Sequence, residues 1–330
     1  MRVARLETIP TEHLVPREVP DPEPGLGELL VDVAMCGICG TDLHILEGRG
    51  YRPTVPFVLG HEPVGRVAAV GAGAASDWIG RRIAMTLFTG CGRCSWCQAG
   101  DERLCPDLVA LIGVIDAPGG FAERMLVPVA QAVPIPDDLS DPEVAALVDA
   151  GATAMNSVRT AGAVGGSTAV VVGGGPIGAL CAELLRMQGC VVHVVQTSPT
   201  RRTALMEMGH RVVERLDALD VRPDLVIDAA GSPEVLPWAV EALAPQGTFV
   251  AAGYGPVESF DLAPAARKEL LIRGVRSGRR DDLEGVLALA ADRRIRLPSV
   301  TRWPLAEIDD AIAALRARAV PGKVVIDVRA

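Results

Sequence analysis

The stretch TAVVVGGGPIG, residues 168–178, runs an apolar β-type segment into a glycine-rich turn and then into the start of a helix. Gly173, Gly175 and Gly178 form G-x-G-x-x-G directly after the strand 168–172. The first glycine permits the tight turn, the second lets backbone approach a pyrophosphate, and the third lets the helix pack close to the sheet. The helix is expected from Pro176 to about Gln188, with proline in its first turn and Gly189 as the residue just past its end. Its N-terminus presents free N–H groups and a positive dipole end to phosphate. The spacing alone is common. With a strand before it and a helix after it, the turn reads as dinucleotide-binding, with Pro176 and Ile177 beside the three glycines.

Outward from this turn, strands alternate with helical stretches, the pattern of parallel βαβ units. Expected strands are 168–172, 191–195, 211–214, 224–229, 247–252 and 270–275, a six-stranded doubly wound sheet. The second strand ends at Gln196, followed by Thr197, Ser198, Arg201 and Arg202. Nicotinamide sites selective for NAD usually place Asp or Glu at that point for the ribose hydroxyls. Here no carboxylate repels a 2′-phosphate and two guanidiniums stand near, which favours NADP(H) over NAD(H). The alternative is that both arginines are solvated on a helix and Gln196 serves NAD.

Residues 1 to about 150 have a different character. Short β-type runs, 28–35, 64–70 and 82–87, are separated by Pro and Gly, which suggests a β-rich domain. After about 278 come an amphipathic helix with Ile308, Ile312 and Leu315 on one face and a closing strand at 323–328. The fold class is therefore α/β, a β-rich domain beside a doubly wound parallel sheet. No internal repeat or low-complexity linker is present.

Four cysteines fall within fifteen residues, Cys91, Cys94, Cys97 and Cys105. Two residues separate each of the first three, so a tight turn can aim successive thiolates at one point, as tetrahedral zinc requires. A closed four-thiolate site leaves no position for substrate and is structural. Gly90, Gly92 and Gly100 supply the turns. Two disulfides are the competing reading, but adjacent C-x₂-C bridges would be strained.

Bulk properties exclude several function classes. The formal charge of -9 without a basic cluster argues against nucleic acid or an anionic membrane surface as partner. The N-terminus MRVARLETIPTEHL lacks the apolar region of a signal peptide, and no apolar run approaches the ~20 residues of a membrane span. Eight cysteines in that setting point to metal and thiol use in a cytoplasmic protein.

A second set of metal-type residues is scattered. Cys39-Gly-Thr-Asp-Leu-His44 follows a β-type run, and Gly60-His61-Glu62 follows a proline-rich stretch. A catalytic zinc takes three protein ligands and keeps one position open. Cys39 and His61 form the natural pair, and Asp149 is the candidate third. Singly, each could be a buried thiol, a core histidine or a helix-capping carboxylate. Cys36, which precedes Cys39 by a C-x₂-C step, reads as an inward-facing strand residue. Cys181 and Cys190 read as small buried residues, and His13, His193 and His210 receive no role.

The chain resembles the zinc-dependent, alcohol dehydrogenase type of the medium-chain dehydrogenase/reductase superfamily. The resemblance runs over nearly the whole length, through CGTDLH at 39–44, GHE at 60–62, the cysteine lobe at about 90–106, GGGPIG at 173–178 and GKVV at 322–325. It implies a discontinuous GroES-like catalytic domain, 1–151 with 278–330, and a Rossmann domain at 152–277. It further implies two zinc ions per chain, Cys39, His61 and Asp149 holding the catalytic one, with Glu62 as a carboxylate that can join them. Thr41 would touch the reacting hydroxyl, His44 would pass its proton to solvent, and Asp42 would orient the ligand histidine. Lys323 and the 173–178 and 196–201 segments would serve the cofactor. The implied reaction is hydride transfer between a nicotinamide and an alcohol, ketone or aldehyde. A polyol or amino-cyclitol dehydrogenase is the alternative within the family, and a silent cofactor-binding relative the alternative outside enzymes. A homodimer or homotetramer is expected through edge strands. Leu87, Phe88, Leu111 and Ile112 are expected at a pocket mouth or, failing that, in the core.

Overall fold

A computed structural model describes residues 1–257 and 259–330. The chain divides into two compact units, one of Met1–Asp149, Arg279–Ala291 and Val300–Ala330, the other of Ala150–Gly278 and Asp292–Ser299.

The first unit is built on a seven-stranded sheet. Its path runs Ala132–Pro134, Arg82–Met85, Glu62–Val70, Glu28–Ile38, Lys323–Asp327, Val300–Pro304, and Arg124–Pro128 pairs additionally with Glu28–Ile38. The central pair, Glu28–Ile38 with Glu62–Val70, is antiparallel and ends at the partners Cys36↔Pro63 and Gly37↔Glu62. The long strand is apolar on both faces (ELLVDVAMCGI) because both are covered, with Leu29, Val31, Val33, Cys36 and Ile38 all in the core beside Leu6, Ile45, Leu59 and Phe121. The expected amphipathic helix is Ile308–Arg316, and Ile308 and Ile312 are buried. Leu87, Phe88, Leu111 and Ile112 belong to this same core and are at most 7% exposed, as the core-packing reading expects.

The second unit carries six parallel strands in the order Arg211–Val213, Val191–Val195, Thr168–Val172, Leu225–Asp228, Thr248–Ala251, Leu271–Gly274. This is the 3-2-1-4-5-6 order of the Rossmann fold. Its central strands are near-continuous runs of Val, Ile and Ala because a parallel sheet is buried on both faces, and Val170, Val171, Val226 and Ile227 are fully buried. The helix Pro176–Met187 starts with proline and ends at Gln188, with Gly189 at φ +84° just beyond. Among the described residues, no helix is long and apolar enough to cross a membrane.

Residues 292–299, expected with the first unit in 278–330, pack with the second. The reason is a buried carboxylate. Glu183, inward on the helix Pro176–Met187, accepts from Arg296 N–H at 3.0 Å and from Arg186 Nη2 at 2.8 Å, and lies 3.1 Å from His210 Nε2. Arg296 Nη1 also donates to the Met208 carbonyl at 2.7 Å, and Ile295 is buried.

Burial works to raise the Glu183 carboxyl, but His210, Arg186 and the Arg296 N–H outweigh it and bring it down to about 2. A depressed carboxylate contributes stability above its unfolded value and loses it as pH falls towards the folded one. The stability gap between wild type and Glu183→Gln, read from denaturant midpoints, is therefore expected to be full above about pH 5 and to close as the pH is lowered towards 2.

Candidate active site

Strand pairing brings the scattered metal-type residues of the first unit together. Glu28–Ile38 ends one residue before Cys39, and Glu62–Val70 begins one residue after His61. Their antiparallel register sets Gly37 opposite Glu62. Cys39 has extended backbone and caps the helix Gly40–Leu46, its Sγ accepting from Thr41 N–H at 3.3 Å. Asp42 closes the cap by accepting from Cys39 N–H at 2.9 Å through Oδ2. Two glycines make the approach possible. At Gly60, with φ +102°, a Cβ would sit 2.7 Å from Phe121 N, and at Gly37 a Cβ would meet Glu62 Oε2 at 1.9 Å.

The donor atoms of Cys39, His61, Glu62 and Asp149 lie within 4.8 Å of one another. Cys39 Sγ is 3.1 Å from His61 Nε2, which is 4.0 Å from Asp149 Oδ2. Ligands at 2.0–2.3 Å around a tetrahedral ion stand roughly 3.3–3.8 Å apart, and these two distances come within about 0.2 Å of that range, so small side-chain adjustments would admit zinc. The charges suit it too. Burial acts against a charged His61, yet Cys39 and Asp42 hold the imidazole well above its usual range, so this anionic cluster favours a cation at its centre. On its far side His61 Nδ1 faces Asp42 Oδ1 at 3.4 Å, and both are about 1% exposed. A proton held on Nδ1 leaves the Nε2 lone pair free for a metal.

Glu62 is fully buried and ion-paired with Lys323, whose Nζ donates to Oε1 at 2.6 Å and also contacts Oε2. Lys323, expected at the cofactor, thus reaches Glu62 from the strand Lys323–Asp327. Burial alone would lower its ammonium, but Glu62, Cys39 and Asp149 hold it above the usual range. Sequence spacing carries no signal for this pair, because 261 residues separate its members.

Thr41 lies in the first turn of the Gly40–Leu46 helix and His44 in its last. His44 is half-buried, and burial followed by Arg49 holds it below the usual imidazole range. A neutral imidazole can accept a proton.

The four clustered cysteines also converge, with their sulfurs within 4.8 Å of one another, and none of the eight cysteines is disulfide-bonded. Cys94 caps the short helix Ser95–Gln98 and accepts from Cys97 N–H at 3.5 Å, while Cys105 Sγ accepts from Cys91 N–H at 3.4 Å. The N–H groups of Arg93 and Cys94 lower the Cys91 thiol to about 6, which favours the thiolate a metal binds. Gly92 and Gly100 take positive φ, and a Cβ on Gly90 would come 2.5 Å from Cys97 Sγ. An arrangement the spacing did not signal anchors the lobe. Buried Asp101 accepts from Arg103 Nε at 2.8 Å and from Arg279 Nε at 3.0 Å.

In the second unit the glycine turn behaves as read. Gly173 takes φ +93° and donates its N–H to the Val195 carbonyl, and a Cβ on Gly178 would fall 1.7 Å from the Gly173 carbonyl oxygen. Gly175 caps the helix with no side chain, leaving N–H groups of its first turn for a phosphate. Gln196 is buried, with Oε1 accepting from Ser198 N–H at 2.9 Å. A Cβ on Gly174 would lie 3.1 Å from its Nε2, and one on Gly175 3.7 Å from Arg201 Nη1. The two arginines differ. Arg202 is committed to the Gln196 and Thr197 carbonyls and lies 3.3 Å from Glu214, whereas Arg201 reaches towards the turn.

Known proteins resemble this chain over most of its length. Residues 25–137 match the alcohol dehydrogenase GroES-like domain and residues 176–292 the zinc-binding dehydrogenase domain. L-galactonate-5-dehydrogenase of Escherichia coli (strain K12) is 31% identical over 311 residues, 90% of each chain. The cobalt- and zinc-bound thermostable alcohol dehydrogenase from Pyrobaculum aerophilum superposes with TM-score 0.90 at 27% identity, covering 99% of both chains. The alcohol dehydrogenase (rspB) from Escherichia coli CFT073, complexed with NADH, does so with TM-score 0.88 at 27% identity, again over 99% of both. The chain belongs to the zinc-binding alcohol dehydrogenases of the medium-chain dehydrogenase/reductase superfamily.

Proposed function

We propose that this chain interconverts an alcohol and its ketone or aldehyde, using one catalytic and one structural zinc and preferring NADP(H). The observation that carries the reading is the convergence of Cys39, His61 and Asp149 beside the Thr41–His44 helix turn. When bound, zinc polarises the substrate oxygen and the nicotinamide accepts or returns the hydride. The chain's own residues do the rest. Cys39 and Asp149 supply two negative charges that balance the ion, while Lys323 offsets the charge of Glu62. Asp42 fixes the His61 tautomer, Thr41 Oγ1 accepts the substrate hydroxyl proton as it gives up its own, and the released proton leaves by way of the neutral His44 to solvent. Cys91, Cys94, Cys97 and Cys105 hold the second ion, a closed set with no position for substrate.

Arg201, aimed at the glycine turn where Gln196 replaces a carboxylate, supports the NADP(H) preference. The L-galactonate relative supports a second substrate reading, a polyhydroxylated alcohol. The edge strand Leu271–Gly274 exposes Leu271 (47%) and Ile272 (43%), which supports pairing with a second copy into a homodimer or the homotetramer built from it.

Elemental analysis of protein purified without chelators is expected to find about two zinc ions per chain. Asp149→Asn is expected to leave about one, in the cysteine lobe, and to lower turnover on alcohol and ketone panels at least tenfold. Unchanged metal content and rate would remove Asp149 from the ligand set. His44→Gln is expected to slow alcohol oxidation roughly tenfold near pH 7, with the deficit shrinking at higher pH as solvent takes the proton directly. Gln196→Asp is expected to move the ratio of kcat/KM for NADP to that for NAD towards NAD by about tenfold or more, and an unmoved ratio would place the selectivity elsewhere.

A further inference from the structure

The parallel sheet reverses its strand order between Thr168–Val172 and Leu225–Asp228, and ligands of doubly wound sheets lie outside the carboxyl ends of the strands at such a point. The glycine turn forms one lip of this crevice. Asp228 closes the strand on the other lip, paired with Val172, and is 5% exposed. Its Oδ1 accepts from both Ala230 N–H and Gly231 N–H, each at 2.9 Å. Its carbonyl oxygen accepts from Ala252 N–H at 2.8 Å and Gly253 N–H at 2.7 Å. One residue thus fastens two turns, the one after its own strand and the one after Thr248–Ala251.

These turns pack backbone against backbone. A Cβ on Gly231 would lie 2.7 Å from Tyr254 N, one on Gly253 2.6 Å from Gly231 N, and one on Gly255 2.2 Å from the Gly231 carbonyl oxygen. On the other lip, a Cβ on Gly173 would lie 3.0 Å from Ala230 N. The glycine turn, 229–231 and 253–255 therefore form one shelf of close-packed main chain, and the Asp228 carboxylate holds its middle segment.

We infer that Asp228 is a positioning residue for the dinucleotide, holding turn 229–231 so that the cofactor can lie across the crevice from the glycine turn. The inference rests on the nicotinamide-cofactor reading proposed above. The need is for an acceptor at Oδ1. Asparagine keeps a carbonyl oxygen there, whereas alanine leaves the Ala230 and Gly231 N–H groups without that partner.

Fluorescence titration of the zinc-loaded enzyme with NADH and with NADPH tests it, alongside zinc content and melting temperature. Asp228→Ala is expected to weaken both cofactors by a common factor of roughly ten, with Asp228→Asn within about threefold of wild type and zinc unchanged in both. Cofactor KM should rise in step in Asp228→Ala, while kcat at saturating cofactor changes far less. Should the alanine variant not fold, Asp228→Thr, which keeps one shorter acceptor, is expected to fall between asparagine and that loss. Wild-type affinity in the alanine or threonine variant would overturn the inference, as would an asparagine variant as weak as alanine. A wild-type enzyme that binds neither cofactor would instead refute the underlying cofactor reading.

Discussion

The antiparallel pairing of Glu28–Ile38 with Glu62–Val70 is the constraint on which the catalytic half depends. Its final partners are Gly37 and Glu62, so one strand end and one strand start are held side by side. Cys39 and His61 occupy the residues immediately outside that pair, and their donor atoms meet for that reason. The register has a strict condition, since no side chain fits at Gly37 against Glu62. A one-residue slip would turn every side chain of the strand to the other face and take His61 out of register with Cys39. Packing and chemistry are specified by the same hydrogen-bond ladder.

Charge balance follows from this geometry. Three acids, a thiol, an imidazole and an ammonium share one largely buried volume, where an unmatched charge costs several kcal/mol. Lys323 answers Glu62, Asp42 faces the outer nitrogen of His61, and Cys39 with Asp149 are the acidic groups that the proposed zinc would balance. The cysteine lobe solves the same problem without a pairing cation, through N–H groups donated to its sulfurs and glycines that admit close approach.

Much of this was legible in the sequence because it is local. The strand-turn-helix at 168–188 announces itself by glycine spacing, a proline at the helix start and a glycine past its end, and all three take those roles. The cysteine lobe is legible because its ligands lie within fifteen residues. Cys36 reads correctly as core from its place in an apolar strand. What escaped the reading is long-range. Lys323 looks like a cofactor lysine in its own motif, and only strand adjacency shows that it reaches Glu62. The hold of Asp101 on Arg279 and of Glu183 on Arg296 likewise joins residues more than a hundred positions apart. Arg201 and Arg202 are neighbours in sequence, yet a helix turns one to the glycine loop and the other to backbone carbonyls.

The shelf of main chain at the carboxyl ends of the central strands divides the crevice into a fixed part and an adjustable one. Where glycines press main chain against main chain, there is no side chain to exchange and almost no substitution that fits. In the cofactor reading proposed above, variation that retunes the preference falls to positions with side chains to offer, such as the short segment from Gln196 to Arg202. A protein built this way can change which nucleotide it prefers over evolutionary or laboratory time while its grip on the shared part of that nucleotide stays the same.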